Sequence, residues 1–178
     1  MTVSRVILCQ GYDAPCGRLL LGAFGNRLCL CAWLTDADAG DVVGGQPYGA
    51  RRIARVLGAT LAPGESAVAA VAAAQLDEYF AGHRQRFDVP LLFAGTEFQK
   101  RVWHSLADIP FGQVLTYRRQ AASLGVETAV RAVAAANGAN SLALFAPCHR
   151  VIGSDGSLTG YAGSLPIKRF LLAHEGAL

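Results

Sequence analysis

The chain has 178 residues, 52% hydrophobic and 16% charged, with a formal net charge of +3 and five cysteines. That apolar fraction supplies one large core or two small ones and excludes wholesale disorder. No apolar run reaches membrane-spanning length, the first ten residues lack the layout of a secretory signal, and an odd cysteine count leaves at least one thiol unpaired, so a protein of the reducing cytoplasm is expected.

Arginine outnumbers lysine 14 to 2, a bias that points to a GC-rich bacterial genome. The charge is uneven. Residues 1–90 carry 8 Arg and Lys against 8 Asp and Glu, whereas residues 91–178 carry 8 against 5. All of the positive excess lies in the second half, which permits weak attraction to a polyanion.

Val3–Gln10, Arg18–Phe24 and Arg27–Leu34 read as strands, the last two joined by a tight Gly25-Asn26 turn. Thr35–Gly49 reads as a loop, and Ala50–Leu57 and Ser66–Phe80 as helices. Pro90 interrupts the strand-like or linker-like residues 84–93 and sets a domain boundary there. The expected architecture is α/β, more narrowly α+β. A mixed domain over 1–90, a three-stranded sheet with helices, precedes a mostly helical domain over 91–178.

Thr96-Glu97-Phe98-Gln99 is a capping-box pattern that opens a helix. Phe98, Val102, Trp103, Leu106 and Ile109 give it an inward stripe, and Pro110 closes it. Tyr117–Leu124 and Glu127–Asn137 then read as two short helices about Gly125. The spacing fits a helix-turn-helix and fits an ordinary αα-hairpin equally well. The second helix offers Ala129, Ala132, Ala134, Ala135 and Ala136, with Arg131 as its one basic residue. Alanine permits close approach but carries no group to read a base edge. Contact with DNA through this helix implies no sequence preference and suits the minor groove, with Arg131 filling the gap left by an extruded base. Packing in a core accounts for the alanines as well.

The apolar run Ser141–Ala146 reads as a strand leading into Phe145-Ala-Pro-Cys-His-Arg-Val-Ile-Gly153. A thiol becomes a strong nucleophile only as thiolate, which needs a base, a positive charge or a helix N-terminus nearby. His149 and Arg150 follow Cys148 directly. Neighbours on a strand face opposite ways, so direct contact of imidazole and thiol is not guaranteed; a bridging water or a turn at Pro147 would allow it. Beyond lie a hairpin turn at Ser154–Ser157, a flexible loop at Gly160–Ser164, and a last helix opened by Pro166 and stopped by Gly176. Cys148, a histidine and the late Glu175 can work as nucleophile, base and orienter. The zinc-deaminase pattern Pro-Cys-x-x-Cys and the GxxxxGK[ST] loop are both missing. Cys9, Cys16, Cys29 and Cys31 lack C-x-x-C spacing, so no metal is expected.

Pro147-Cys148-His149-Arg150-Val151 resembles the active-site segment of the O6-alkylguanine-DNA alkyltransferases, the methylated-DNA–protein-cysteine methyltransferases. Thr96–Trp103, Gly112–Tyr117, Arg131–Asn140, Gly160–Gly163 and Lys168–Gly176 resemble further segments of that family in the same order. The resemblance implies that Cys148 takes the alkyl group from O6 of a flipped guanine, with activity on O4-alkylthymine left open. It implies that His149 receives the thiol proton through water, Glu175 orients His149, and Tyr117 protonates the departing base and crowds the flanking phosphate. It assigns Asn140 to the tie between helix-turn-helix and cysteine loop. Arg131 would fill the vacated stack beside Ala129, Ala132 and Ala135. Tyr161, Ala162, Gly163, Ser164 and the Val151 backbone would wall the guanine pocket. No cofactor is implied. The implied partner is double-stranded DNA carrying O6-alkylguanine, bound by a cytoplasmic monomer without sequence specificity or membrane. Ser141 and Ser164 depart from the proline and glycine common in that family. A non-catalytic binder of alkylated DNA and a Cys-His-Glu hydrolase are the alternatives.

Overall fold

The computed structural model describes residues 5–34 and 48–178. The chain divides into two compact units, Met1–Ala94 and Gly95–Leu178.

In the first unit, β1 (Val6–Ala14), β2 (Gly17–Phe24) and β3 (Arg27–Trp33) form an antiparallel meander. Phe24 pairs with Arg27, and Gly25 supplies the positive φ of 61° at the first central position of the two-residue turn. The expected three-stranded sheet is in fact four-stranded, in the order β3-β2-β1-β4. β4 (Thr60–Pro63) runs parallel to β1, with Val6 beside Thr60. It escapes sequence reading because four residues show no alternation and contain a proline, which only an edge strand accommodates. Consecutive buried residues, Leu19 to Leu21 and Leu28 to Cys31, show that the sheet is covered on both faces. α1 (Tyr48–Leu57) packs Ala50 and Ile53 into the core with Ile7, Leu20 and Leu30. α2 (Ala67–Phe80) is capped by Ser66, whose hydroxyl accepts from Ala69 N at 3.2 Å, and buries Ala69, Ala72, Leu76 and Tyr79. The loop expected at Thr35–Gly49 lies mostly outside the described residues; its last two residues, Tyr48 and Gly49, belong to α1. Leu91 runs beside β3, with Leu28 bonded to Pro90 O and to Leu92 N.

The second unit opens with α3 (Glu97–Leu106), which carries the full capping box: Thr96 Oγ1 accepts from Gln99 N and Gln99 Oε1 accepts from Thr96 N. Ile109 is buried but lies past the helix end. After β5 (Leu115–Thr116) come α4 (Tyr117–Ser123) and α5 (Val130–Gly138), with Gly125 at φ 69° between them. α5 starts three residues later than the sequence suggests. Glu127 and Thr128 form a turn closed by Ala129 N on Val126 O at 2.8 Å, and that turn reverses the chain. A buried polar relay fixes the helices: Asn137 Nδ2 donates to Gln120 Oε1 at 2.6 Å, Gln120 Nε2 to Ser105 Oγ at 3.0 Å, and Trp103 Nε1 to Ala136 O at 2.8 Å.

Two further expectations fail. Ser141–Ala146 is a buried run of turns instead of a strand, with Leu144 at φ 71° and Ala146 N bonded back to Leu142 O. Asn140 at its head bonds this backbone locally, which replaces a ladder. The turn at Ser154–Ser157 closes on itself, Gly153 N to Ser157 O at 2.9 Å, but forms no hairpin. β6 (Val151–Ile152) pairs instead in parallel with β5, and the carbonyls of Thr159 and Gly160 face side chains. α6 (Leu165–His174) has proline in its first turn and Gly176 at φ 70° past its end.

Candidate active site

Pro147 ends the buried turns and Cys148–Arg150 form one turn of 3-10 helix, so the three side chains fan out as they could not on a strand. Residues 141–150 are all buried, and Cys148 keeps 8% of its surface exposed. The thiol is held from one side by Asn140, whose Nδ2 lies 3.2 Å from Sγ and 2.8 Å from Ala146 O, while its Oδ1 accepts from Leu142 N at 3.0 Å. One side chain thus spans the end of α5 and the cysteine turn.

His149 places Nε2 2.8 Å from Glu175 Oε1, with both side chains sealed from solvent. Its Nδ1 is buried and has no hydrogen-bond partner. Arg150, the positive charge next to the cysteine in sequence, turns to the same carboxylate: Nε to Oε2 at 2.8 Å and the second nitrogen to Oε1 at 3.0 Å. Its remaining amino group donates to Ile109 O at 2.6 Å. Gly112 N also donates to Glu175 Oε2 at 3.3 Å. A Cβ at Gly112 would sit 2.9 Å from Glu175 O, which with a φ of 76° explains glycine at this spot.

The electrostatics follow from burial and these bonds. Burial pushes the Cys148 thiol up, against smaller opposing effects of Asn140 and the Lys168 charge, so the resting group is a thiol. Burial holds His149 below its ordinary value and outweighs Glu175, so the imidazole is neutral and able to accept a proton. Burial would raise Glu175, but the hydrogen bonds and charges of His149 and Arg150 prevail and hold it at about 2. A thiol, a neutral imidazole and an ionised carboxylate are the parts of an activated nucleophile.

A cavity of about 500 Å³ opens in the same unit. Tyr117, Arg131, Tyr161 and Ala162 line it, as do Ala134 and Gly138. Gly163, Ser164, Val151 and the sulfur itself do not. Tyr117 Oη points to the carbonyls of Thr159 and Gly160 at 3.3 and 3.4 Å. The Tyr161 ring stands edge-on to His149, centroids 6.5 Å apart. Arg131, Ala132 and Ala135 are exposed on α5, whereas Ala129 is a half-buried cap residue and Ala136 is buried. Ser164 is exposed at φ 90°, ψ 156°, in a region that glycine favours. Among the described residues no group of three His, Cys, Asp or Glu could hold a metal, and no helix is long and apolar enough to cross a membrane.

Sequence reasoning overlooked Lys168. It is fully buried, and Nζ donates to Val151 O at 2.6 Å and Thr159 O at 2.9 Å. The signal was present: Lys168, Leu172 and Glu175 recur at helical spacing on the face that also buries Leu171.

Residues 97–177 match the family model for the DNA binding domain of 6-O-methylguanine DNA methyltransferase. A methylated-DNA–protein-cysteine methyltransferase of Methanosarcina barkeri is 54% identical over 104 residues, 58% of this chain and 66% of that protein, so the match spans slightly under two thirds of the relative. The one from Mycobacterium leprae is 38% identical over 170 residues, 96% of this chain and 93% of its own. The crystal structure of Mycobacterium tuberculosis OGT in complex with DNA superposes with a TM-score of 0.75 at 36% identity, covering 98% of this chain and 94% of that one. With nearly the whole chain aligned at this identity, and the thiol, imidazole and carboxylate assembled in the matched region, the chain belongs to the methylated-DNA–protein-cysteine methyltransferase family.

Proposed function

We propose that this chain repairs O6-alkylguanine in double-stranded DNA by moving the alkyl group, once and irreversibly, onto Cys148. The observation that carries the reading is the sealed His149–Glu175 pair, with an unpartnered imidazole nitrogen, directly after Cys148 in the chain, together with a cavity edged by Tyr117, Arg131 and Tyr161. The relative from M. tuberculosis was solved with DNA, and the family model is of a DNA binding domain.

DNA lies along α5, where Ala132 and Ala135 admit the backbone closely and offer nothing to distinguish one base from another. The damaged guanine swings out into the cavity, at a cost of a few kcal/mol that weakened pairing reduces. Arg131 fills the vacated stack. His149 takes the thiol proton through a water at Nδ1, because Nε2 is committed to Glu175. The sulfur attacks the alkyl carbon in line. The S–C bond forms as the C–O6 bond breaks, and its electron pair passes to the purine. Tyr117 supplies a proton to the purine and recovers one from the imidazolium. The sulfur does not line the cavity, so transfer needs a shift that opens the thiol to the flipped base. The product is a thioether, which no group in the chain can cleave, so each molecule acts once. The protein works as a monomer in the bacterial cytoplasm, with no cofactor.

Incubation with a duplex carrying O6-methylguanine tests this by mass. Repair leaves one permanent methyl group on the Cys148 peptide, and Cys148→Ala binds DNA yet gains none. A pure binder shows no gain in the unsubstituted chain, and a Cys-His-Glu hydrolase shows only a transient adduct. Either result overturns the proposal.

A further inference from the structure

We infer that Gln120 and Asn137 are positioning residues: their buried amide pair sets the register of α5 on α4, and through it the seat of Asn140 on the Cys148 sulfur. The inference rests on the reading of Cys148 as nucleophile and of α5 as the helix laid against DNA, and it deepens that reading by joining the two.

The packing of α5 gives it little direction. Its inward face is Val133, Ala136 and Asn137, and its N-cap Ala129 makes no side-chain capping bond. Side chains this small raise shallow ridges, over which one helix turns or slides on another at little cost. The amides supply the missing direction. Gln120 is fully buried on α4; its Oε1 accepts from Asn137 Nδ2 at 2.6 Å and its Nε2 donates to Ser105 Oγ on α3 at 3.0 Å. Ser105 Oγ in turn donates to Val102 O at 2.7 Å. Asn137 Oδ1 is buried with no hydrogen-bond partner. A buried acceptor left unpaired costs stability, so an apolar pair would hold the helices together at least as well. An apolar pair would not select one register, which is the best-attested use of a buried amide.

The backbone of Asn137 carries this placement to the thiol. Its carbonyl accepts from Asn140 N at 3.1 Å, and Asn140 Nδ2 stands 3.2 Å from Cys148 Sγ. A slip of α5 by one residue would put Ala136 or Gly138 opposite Gln120 and carry Asn140 off the sulfur. Burial raises the Cys148 thiol and the Asn140 bond opposes it, so misplacement shows as a less acidic sulfur. The same slip would move Ala132 and Ala135, which are exposed on α5. One contact between two uncharged side chains thus sets both the surface offered to DNA and the partner offered to the nucleophile.

The test compares three full-length chains: the unsubstituted one, the double variant Gln120→Leu with Asn137→Leu, and the double variant Gln120→Asn with Asn137→Gln, which exchanges the two amides and keeps the pair. Iodoacetamide alkylation of the Cys148 peptide is followed across pH without DNA. This arm is separate from the repair reading, which fails only if the unsubstituted chain takes up no methyl group. The leucine pair is expected to keep its thermal midpoint, to move the alkylation curve to higher pH and to slow alkylation at pH 7 by about tenfold, the equivalent of one pK unit. Methyl transfer from a duplex carrying O6-methylguanine is expected to slow with it. The exchanged pair is expected to stay within about threefold of the unsubstituted chain in both rates. An alkylation curve for the leucine pair that superimposes on that of the unsubstituted chain overturns the inference. A lower thermal midpoint in the leucine pair also overturns it, because the amides then serve the fold and not the register. A loss in the exchanged pair equal to that in the leucine pair does the same.

Discussion

Nε2 of His149 and Oε1 of Glu175 stand 2.8 Å apart with both side chains shut off from water, and Arg150 grips the same carboxylate. The carboxylate therefore fixes the imidazole and neutralises a buried guanidinium at once. Glu175→Gln should lower the methyl-transfer rate by at most about 10²- to 10⁴-fold, the usual worth of the base, His149, that it orients. It should also cost about 3–5 kcal/mol of stability, because Arg150 is left uncompensated. Single-turnover kinetics and urea unfolding measure the two effects separately.

Asn140→Ala removes three hydrogen bonds at the joint between α5 and the cysteine turn. The expected loss is about 1–3 kcal/mol for the buried groups left unpaired. The thiol should become less acidic, since Asn140 lowers it. Binding to undamaged duplex should survive in a gel-shift assay while transfer slows. Equal losses of binding and transfer would count against a role at the sulfur.

The pH dependence has a definite sign. His149 is depressed below 6.5, so it stays neutral as pH falls through that value, and transfer should show no acid limb there. The stability that His149 contributes as a neutral group is lost as pH falls below its ordinary value. Glu175 moves from 4.5 to about 2 on folding. Its contribution is complete above 4.5 and is lost progressively down to 2. Transfer rates and thermal midpoints between pH 3 and 8, taken on one preparation, check both statements.

Local signals were legible in the sequence and distant partnerships were not. The Thr96–Gln99 box, the Gly25-Asn26 turn and the stop at Gly176 are each decided within a few residues, and each is present. The edge strand β4 was lost because it is defined only by its neighbour β1. Ser141–Ala146 looked like a strand because its composition is that of a buried segment, and burial is shared by strands and packed turns. Cys148, His149, Asn140 and Glu175 were named from motif order, and the structure pairs Asn140 with Cys148 and His149 with Glu175. What order did not reveal was that Arg150 faces Glu175 and that Lys168 points inward, since the bonding atoms lie 25 and 17 residues away. A lysine on a helix usually faces water, and only the spacing to Leu172 and Glu175 argued otherwise.

Ser164→Gly should stabilise the protein. Ser164 occupies φ 90°, ψ 156°, and its side chain makes no capping bond. Strain of this kind is worth about 1–3 kcal/mol, and the extra freedom of glycine in the unfolded chain takes back about 0.5–1. A net gain near 1 kcal/mol should appear as a higher thermal midpoint. A lower midpoint would mean that the serine side chain earns its place.

Cys148, His149, Glu175, Tyr117, Tyr161 and the alanine-rich α5 all come from Gly95–Leu178. Selection on chemistry therefore presses on one half of the ribbon, while Met1–Ala94 answers mainly to the demand that a sheet be covered on both sides. Many apolar sequences meet that demand. The front half can therefore change its apolar sequence without altering any of those side chains.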